Sequence, residues 1–210
     1  MRKKFRLIAL ICYSLFFSIS LKAQDEVKIG TQIWSTKNLN VSRFRNGDII
    51  VEAKTKEEWG KANNSITPAW CYYENDSTKG KIYGKLYNFY AIIDARGLAP
   101  NGWRIPNDKE WDILVNFLGG AWTLTGNKLK TITNWKVNNG NNSSGFSALP
   151  GGKRGLDGNC IYMGIFAFFW STSLNNNGYA SYRNIVDFSD RINTEYAGKG
   201  NGFSVRCVKN

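Results

Sequence analysis

Residue types that commonly perform chemistry in enzymes are scarce in this chain. The 210-residue sequence contains no histidine, which excludes the commonest general base, the commonest zinc ligand and the Ser–His and Cys–His pairs of hydrolases. Its four cysteines, Cys12, Cys71, Cys160 and Cys207, lie far apart, so no Cys-x-x-Cys motif is present. We therefore expect no catalytic residues, no metal and no cofactor.

Three short segments offer oxygen ligands of the kind that calcium prefers: Glu74 with Asp76, Asp157 with Asn159, and Asp187 with Asp190. Calcium takes about six to eight oxygens, and none of these segments has the spacing of an EF-hand loop. Asp and Asn are also typical turn formers, because their side chains bond to nearby backbone groups. We interpret the three segments as turns.

Aromatic and polar residues in the second half of the chain are the best candidates for ligand recognition. Large aromatic side chains are usually core, and Trp111 is predicted to be core. Tyrosines in the loop-rich half suit stacking on a sugar ring or contact with a protein, and the cluster 175–178 is either a turn or a hydrogen-bonding rim, with its composition favouring the turn. The predicted ligand-binding residues are Tyr162, Trp170, Asn176, Tyr179, Tyr182 and Arg183.

The first 23 residues have the pattern of a secretory signal peptide. Basic residues at the start precede an apolar run, and Ala23 is a small residue suited to cleavage, so the mature chain is predicted to begin at Gln24. The alternative is an uncleaved membrane anchor, but the apolar run is shorter than the roughly 20 residues of a membrane span. We predict an exported protein of the periplasm, outer surface or medium, with no stable membrane span.

The charge of the chain does not favour nucleic acid as a partner. The net charge is +12, and without the five basic residues of segment 1–23 it falls to +7, from 23 basic and 16 acidic residues. No run of four or more Lys or Arg occurs in the remaining chain. The moderate basicity is typical of a solvated surface, with some attraction to polyanionic glycans remaining open.

A single domain over 24–210 is predicted, because no linker, proline-rich stretch or charge block interrupts it. The clearest helix follows Pro106, where Asn107 and Asp108 provide capping side chains, apolar residues recur at helical spacing from Trp111, and Gly119 ends the pattern. Shorter helices are predicted at 56–62, 86–94 and 127–131, and strands at 27–34, 146–149, 166–171, 179–188 and 203–208.

Several long stretches together resemble one family. They read IGTQIWSTKNLNVSRFRNGD (29–48), YGKLYNFYAIIDARGLAPNGWRIPNDKEWDILVNFLGG (83–120), GFSALPGGKR (145–154), FWSTS (169–173) and NGFSVRCVK (201–209). The chain is similar to the Fibrobacter succinogenes major paralogous domain, a family of secreted proteins. The resemblance covers nearly the whole of 24–210, and the family has no agreed biochemical role to transfer.

A more distant resemblance links GWRIPNDKEW and the closing GFSVRCV to the formylglycine-generating sulfatase-modifying proteins. It implies an α+β, C-type-lectin-like fold, with a small antiparallel sheet, flanking helices and long loops. The cysteine pair of those enzymes and the calcium-binding motifs of C-type lectins are both absent, so neither activity is transferred. The fold also implies a disulfide between Cys71 and Cys207, with Cys160–Cys207, Cys71–Cys160 and no bond as rivals.

These observations favour an exported, non-catalytic binding module whose partner is a glycan or a protein of the cell envelope. Rigid scaffolds commonly carry recognition on loops, which places the expected site between Phe146 and Phe203. A structural subunit of an envelope assembly is the alternative, and an enzyme related to the sulfatase-modifying proteins is the third reading.

Overall fold

Short helices and short strands are mixed in the first part of the described chain, and six consecutive strands follow the last helix, as expected for the α+β class. The structure is a computed structural model, and it describes residues 26–210. Within that range the helices are α1 (Lys56–Asn64), α2 (Ser77–Tyr83), α3 (Phe89–Ile92), α4 (Asp108–Phe117) and α5 (Thr125–Leu129). The strands are β1 (Glu26–Ile29), β2 (Gln32–Ser35), β3 (Val51–Glu52), β4 (Ala69–Cys71), β5 (Leu86–Tyr87), β6 (Trp103–Arg104), β7 (Gly151–Arg154), β8 (Cys160–Met163), β9 (Phe166–Leu174), β10 (Ala180–Val186), β11 (Ile192–Ala197) and β12 (Val208–Lys209).

The strands of the described range form three small sheets. The first has the order β1-β2-β12-β6, the second β11-β10-β9-β7-β8, and the third β3-β4-β5. Most neighbouring strands are antiparallel, whereas β7–β9 and β3–β4 are parallel. The second sheet is the largest, and it carries the surface that is described below.

Helix α4 begins where the sequence predicts it. Asn107 accepts a hydrogen bond from the Glu110 amide at 3.0 Å, and the Glu110 carboxylate accepts one from the Asn107 amide at 2.9 Å. Trp111 is fully buried on its inner face, and the chain leaves the helix at Gly119, whose φ is +114°. The predicted helix is confirmed because its capping signals and its apolar stripe are both local.

The segment predicted as a helix over 86–94 divides into two elements. Leu86 and Tyr87 form β5 and pair with β4, and only Phe89–Ile92 is helical. Asn88 marks the change, since its side chain accepts a hydrogen bond from the Ala91 amide and caps α3. The apolar residues of 86–94 are therefore shared between a strand and a helix.

The predicted strands are partly correct. The segment 27–34 is a hairpin because Gly30, with φ +60°, turns the chain between β1 and β2. The segments 146–149 and 203–208 contain mostly single bridges, and the backbone carbonyls of Phe146 and Ser147 bind the Arg206 guanidinium instead of a neighbouring strand. Six further strands, β3, β4, β6, β7, β8 and β11, are not predicted by the sequence pattern.

Two apolar cores lie on opposite faces of β9. Phe168 and Trp170 pack into one cluster, and Ala167 and Phe169 pack into the other. Alternate residues of a strand point to opposite faces, so a strand covered on both faces requires a continuous apolar run. The run from Phe166 to Trp170 meets this requirement, which explains why β9 is central.

The prediction of a disulfide between Cys71 and Cys207 is wrong. All three cysteines of the described range are free thiols. Cys71 packs in a small cluster beside Trp59, with Cys160 against the same cluster, while Cys207 belongs to the large core around Trp170. The implied pairing fails because the two cysteines contribute to different cores.

Candidate functional site

Trp170, one of the predicted ligand residues, lies in the core. Its ring is fully buried, its centroid is 4.2 Å from that of Phe203, and its indole N–H donates to the Tyr87 carbonyl at 2.7 Å. The indole N–H thus has its hydrogen-bond partner, and the ring has its packing neighbours, inside the protein. A ligand at the surface does not reach it in this structure.

Arg183 also lies inside, where it attaches strand β10 to helix α4. Its guanidinium donates to the carboxylates of Asp108 and Asp112, both at 2.9 Å, and Ser181 donates to Asp108 at 2.8 Å. The two carboxylates lie four residues apart on one face of α4, so a planar guanidinium reaches both. The guanidinium of Arg183 therefore positions helix α4 against strand β10.

Asn176 and Tyr179 are exposed on the turn between β9 and β10. The Asn175 side chain accepts hydrogen bonds from the amides of Asn177 and Tyr179, at 3.0 and 2.9 Å, and Gly178 adopts φ +77°. The asparagine cluster is therefore a turn, as its composition predicts. It lies at the opposite end of the hairpin from Phe166 and Val186.

Tyr162 and Tyr182 are brought together on one face of the second sheet. The ring of Tyr162 is 5.0 Å from that of Phe166, which is 5.3 Å from Phe168, and Phe168 is 5.9 Å from Tyr182. Phe188 meets Phe166 edge-on at 6.2 Å. We call these five residues the aromatic platform.

The platform is open to solvent mainly at Tyr162 and Phe188. Tyr162 is 45% exposed and Phe188 69% exposed, whereas Phe166 and Tyr182 are half-buried and Phe168 lies beneath them. Phe203 covers the Trp170 end of the same sheet face, which explains why the neighbouring residues of β9 differ in access.

A tight turn directs Tyr162 onto the platform. Tyr162 has φ +71°, its carbonyl accepts a hydrogen bond from the Ile165 amide at 3.1 Å, and Gly164 follows with φ +82°. Left-handed backbone at a tyrosine is uncommon and costs about 1–3 kcal/mol, so surrounding contacts must hold it. Here the β7–β8 pairing and the contact with Phe166 do so.

Polar side chains border the aromatic platform. The Lys153 ammonium lies 5.8 Å from the Tyr162 ring centroid, and burial lowers the pKa of Lys153. On the other side Asn193 donates to the Asn184 side chain at 3.0 Å, and Glu195 is the cross-strand neighbour of Tyr182. Burial raises the pKa of Tyr182, and the Glu195 charge adds to this shift. The rim thus offers a cation, amides and a carboxylate around an apolar centre.

A family model matches residues 27–209, and its description is the Fibrobacter succinogenes major domain. The chain belongs to this family. No curated protein and no solved structure matches the chain.

The stretches that carry the family resemblance form the framework of this Fibrobacter succinogenes major domain. Trp34 and Trp111 pack in the core cluster that contains Ala167 and Phe169, and their ring centroids are 4.8 Å apart. Arg206, in the closing stretch, is fully buried and donates to Asn38, Ser35, Phe146 and Ser147. All five residues of the aromatic platform lie outside these stretches.

The sequence indicates some platform residues and misses others. Tyr162, Phe166 and Tyr182 are aromatic residues of the predicted loop-rich half, whereas Phe168 and Phe188 of the platform and Lys153 of its border are missed. The alternation of Tyr182, Asn184, Val186 and Phe188 contains the signal for Phe188, because residues two apart share a strand face.

Two of the three candidate calcium segments act locally, whereas Asp190 of the third lies 3.8 Å from the distant Lys130 ammonium. Asp76 accepts a hydrogen bond from the Thr78 amide at 2.8 Å at the start of α2, and hydrogen bonds from Thr78 lower the pKa of Asp76. Asp157 accepts from the Asn159 amide at 3.0 Å. Within residues 26–210 no group of three or more Cys, Asp or Glu side chains is placed to hold a metal ion.

Over the same residues, no helix combines the length and the apolar character needed to cross a membrane.

Proposed function

We propose that this Fibrobacter succinogenes major domain is an exported, non-catalytic module that binds a glycan through the aromatic platform. The single observation that carries the proposal is the row of aromatic rings on one sheet face, which is exposed to solvent at Tyr162 and Phe188 and partly exposed at Phe166 and Tyr182. Sugar rings with equatorial hydroxyls present flat C–H faces, and these faces stack on aromatic rings such as Tyr162 and Phe166. The ligand class we infer is therefore a β-linked glucan-type chain.

The polar rim supports recognition of hydroxyl groups. Lys153 donates, Glu195 accepts, and Asn193 does both, so each can bond to a hydroxyl beside a stacked ring. A site with an apolar centre and a few convergent polar groups is the usual form of a small-ligand surface. Tyr182 is half-buried between the apolar centre and the polar rim, and it contributes a ring and a hydroxyl group.

Export and the absence of catalysis complete the proposal. Export rests on segment 1–23, which lies outside the described residues. A non-catalytic role is supported by the lack of histidine and by the structural use of Arg183, Asp108 and Asp112. A C-type-lectin-like arrangement is supported by β12, which lies between β2 and β6 and so joins the two ends of the domain in one sheet.

Glycan binding is tested with the purified mature chain on a glycan array, followed by titration calorimetry with cellohexaose and chitohexaose. Tyr162→Ala should weaken binding about tenfold, since loss of a stacking partner costs on the order of 1 kcal/mol or more. Tyr179→Ala is the matched control, because this tyrosine is exposed to a similar degree but lies on the far turn, and it should leave affinity unchanged.

Two results would contradict the proposal. One is an array without any glycan bound above background. The other is a bound glycan whose affinity is unaffected by Tyr162→Ala and by Phe166→Ala, which would place the site elsewhere on the protein.

A structural subunit of an envelope assembly is the second candidate. The observation that favours it is the group of exposed apolar side chains on and after α4, where Ile113, Phe117 and Leu124 are all about half exposed or more. Light scattering after size exclusion tests it: a stable oligomer that Phe117→Lys dissociates would favour assembly, and a monomer at high concentration would not.

A further inference from the structure

Strand β11 is an edge of the second sheet, and its outer side is open in the middle. The Ile192 amide points away from β10, because it donates to the Ala121 carbonyl at 3.3 Å. Alternate residues of a strand direct their main-chain groups to the same side. Thr194 and Tyr196 therefore direct their N–H and C=O groups outward, where no group of residues 26–210 bonds to them.

A groove lies beside this free edge. It has a volume of about 270 Å³ and runs from Ala121 and Trp122 along β11 to Glu195. Trp122 is 74% exposed, and the Arg191 guanidinium lies 4.8 Å from its ring centroid. The guanidinium covers one face of the indole, which leaves this ring less suited to stacking on a sugar than the platform rings.

We propose that the β11 edge binds an extended peptide segment of a partner protein, which adds to the second sheet as a sixth strand. The two outward N–H groups and the two outward C=O groups supply the main-chain hydrogen bonds of such a strand. One apolar side chain of the peptide enters the groove beside Trp122, and this contact adds the specificity that main-chain bonds lack.

The negative charge of Glu195 predicts which type of residue the partner segment places opposite it. This carboxylate is exposed on β11, and a cross-strand neighbour of opposite charge stabilises a strand pair. The partner segment therefore carries Lys or Arg at that position. A second copy of this chain fits less well, because pairing Thr194 with Tyr196 of the copy sets the two Glu195 carboxylates opposite each other.

The test uses a phage-displayed library of random heptapeptides, selected on the mature protein. We expect enriched peptides to alternate apolar and polar residues and to contain Lys or Arg. Selection on Glu195→Lys should instead enrich peptides with Asp or Glu. The synthesised leading peptide is then titrated against two variants at position 194.

Thr194→Pro replaces the outward N–H of an edge strand by a ring methylene, at a position that tolerates proline, whereas Thr194→Val keeps the N–H. The peptide should bind the proline variant about tenfold more weakly, through a lost hydrogen bond and a steric clash, and the valine variant as well as the wild type. Unfolding monitored by circular dichroism shows whether the proline variant is folded.

Hydrogen exchange on the wild-type protein gives a second measurement that needs no folded variant. The amides of Thr194 and Tyr196 should exchange rapidly in the free protein and slowly with peptide bound. The proposal is overturned if no peptide is enriched over a selection on folded Thr194→Pro, if the peptide leaves both amides unprotected, or if the free edge is already closed by a dimer of this chain. Glu195 also borders the aromatic platform, so the comparison of Thr194→Pro with Thr194→Val, at a residue outside that rim, distinguishes a failure of this proposal from a failure of glycan binding.

Discussion

At the scale of single residues, the buried arginines organise loops that have little regular structure. Arg154 donates to the carbonyls of Ala53, Lys54 and Thr55, and Arg206 collects four groups from two distant segments. A planar guanidinium with five donors suits this task, since irregular backbone leaves carbonyls unpaired. Burial lowers the pKa of Arg206 to about 9, so it remains charged at neutral pH.

Arg206→Lys is expected to destabilise the protein strongly. Lysine keeps the charge but cannot reach acceptors on Asn38, Ser35 and Phe146 together, so buried groups lose their partners at a cost of about 3–5 kcal/mol. Urea unfolding followed by fluorescence measures the change. Arg191→Lys, at an exposed arginine, is the control, and equal midpoints for the two variants would contradict this role of Arg206.

The buried thiols predict an alkaline loss of stability. Burial raises the pKa of Cys71 and of Cys207 to about 12, from an ordinary value near 9.0. Above pH 9 the unfolded chain releases thiol protons that the folded protein keeps, so each thiol lowers the free energy of unfolding as pH rises towards 12. Arg206 acts in the opposite direction over this window, because its folded pKa is lowered.

A comparison of wild type with Cys71→Ala separates these opposing effects. The variant lacks one raised thiol and retains Arg206, so its free energy of unfolding should fall less steeply between pH 9 and pH 12. Urea titrations at a series of pH values provide the slopes. Parallel slopes would show that the Cys71 thiol ionises alike in both states.

At the scale of elements, predictions from the sequence succeed where the determining contacts are local. Helix α4 carries its own cap in Asn107 and Glu110, and it ends at a glycine. The sequence pattern does not predict strand β11, because Asn193, Thr194 and Glu195 lack an apolar alternation and only pairing with β10 makes them a strand. The order of strands in the sheets depends on contacts between distant segments, which no local pattern encodes.

The candidate site shows the same division. The aromatic residues were identifiable by type, but their access depends on what covers each end of the sheet face. Trp170 and Phe166 lie on the same face of β9, four residues apart, yet Phe203 packs against Trp170 and Phe168, whereas Phe166 is partly exposed. Sequence distinguishes the residues that can stack on a ligand, and topology decides which of them meet solvent.

The packing of helix α4 depends on Trp111. Trp111→Ala should lower the free energy of unfolding by about 3–5 kcal/mol, through lost burial and a cavity between Trp34 and Phe169. Its indole N–H has no partner among the described residues, so the loss is apolar. Trp122→Ala, at a tryptophan 74% exposed, is the control and should change stability by less than about 0.5 kcal/mol. Similar melting temperatures for wild type and Trp111→Ala would contradict the packing.

At the scale of the whole molecule, the fold is closed by its two ends. Val208 of β12 pairs with Trp34 of β2 and with Arg104 of β6, and the Lys209 ammonium lies 2.9 Å from the Glu26 carboxylate. The first sheet therefore forms only after the last residues of the domain are available. Such non-local pairing slows folding, because a long loop must close before the contacts form.

The proximity of the ends predicts that a circular permutant folds. Joining Asn210 to Glu26 through a short Gly/Ser linker, with new ends between Asn176 and Asn177, opens an exposed turn whose tip takes no part in the β9–β10 ladder. This permutant should unfold cooperatively and retain peptide and glycan binding, if the wild type shows them, since neither proposed surface includes the turn. A permutant opened at Ser147 should not fold, because the cut frees a carbonyl that the buried Arg206 requires. Circular dichroism melting of both proteins decides the matter: a molten first permutant would show that the continuous β9–β10 hairpin is required for folding.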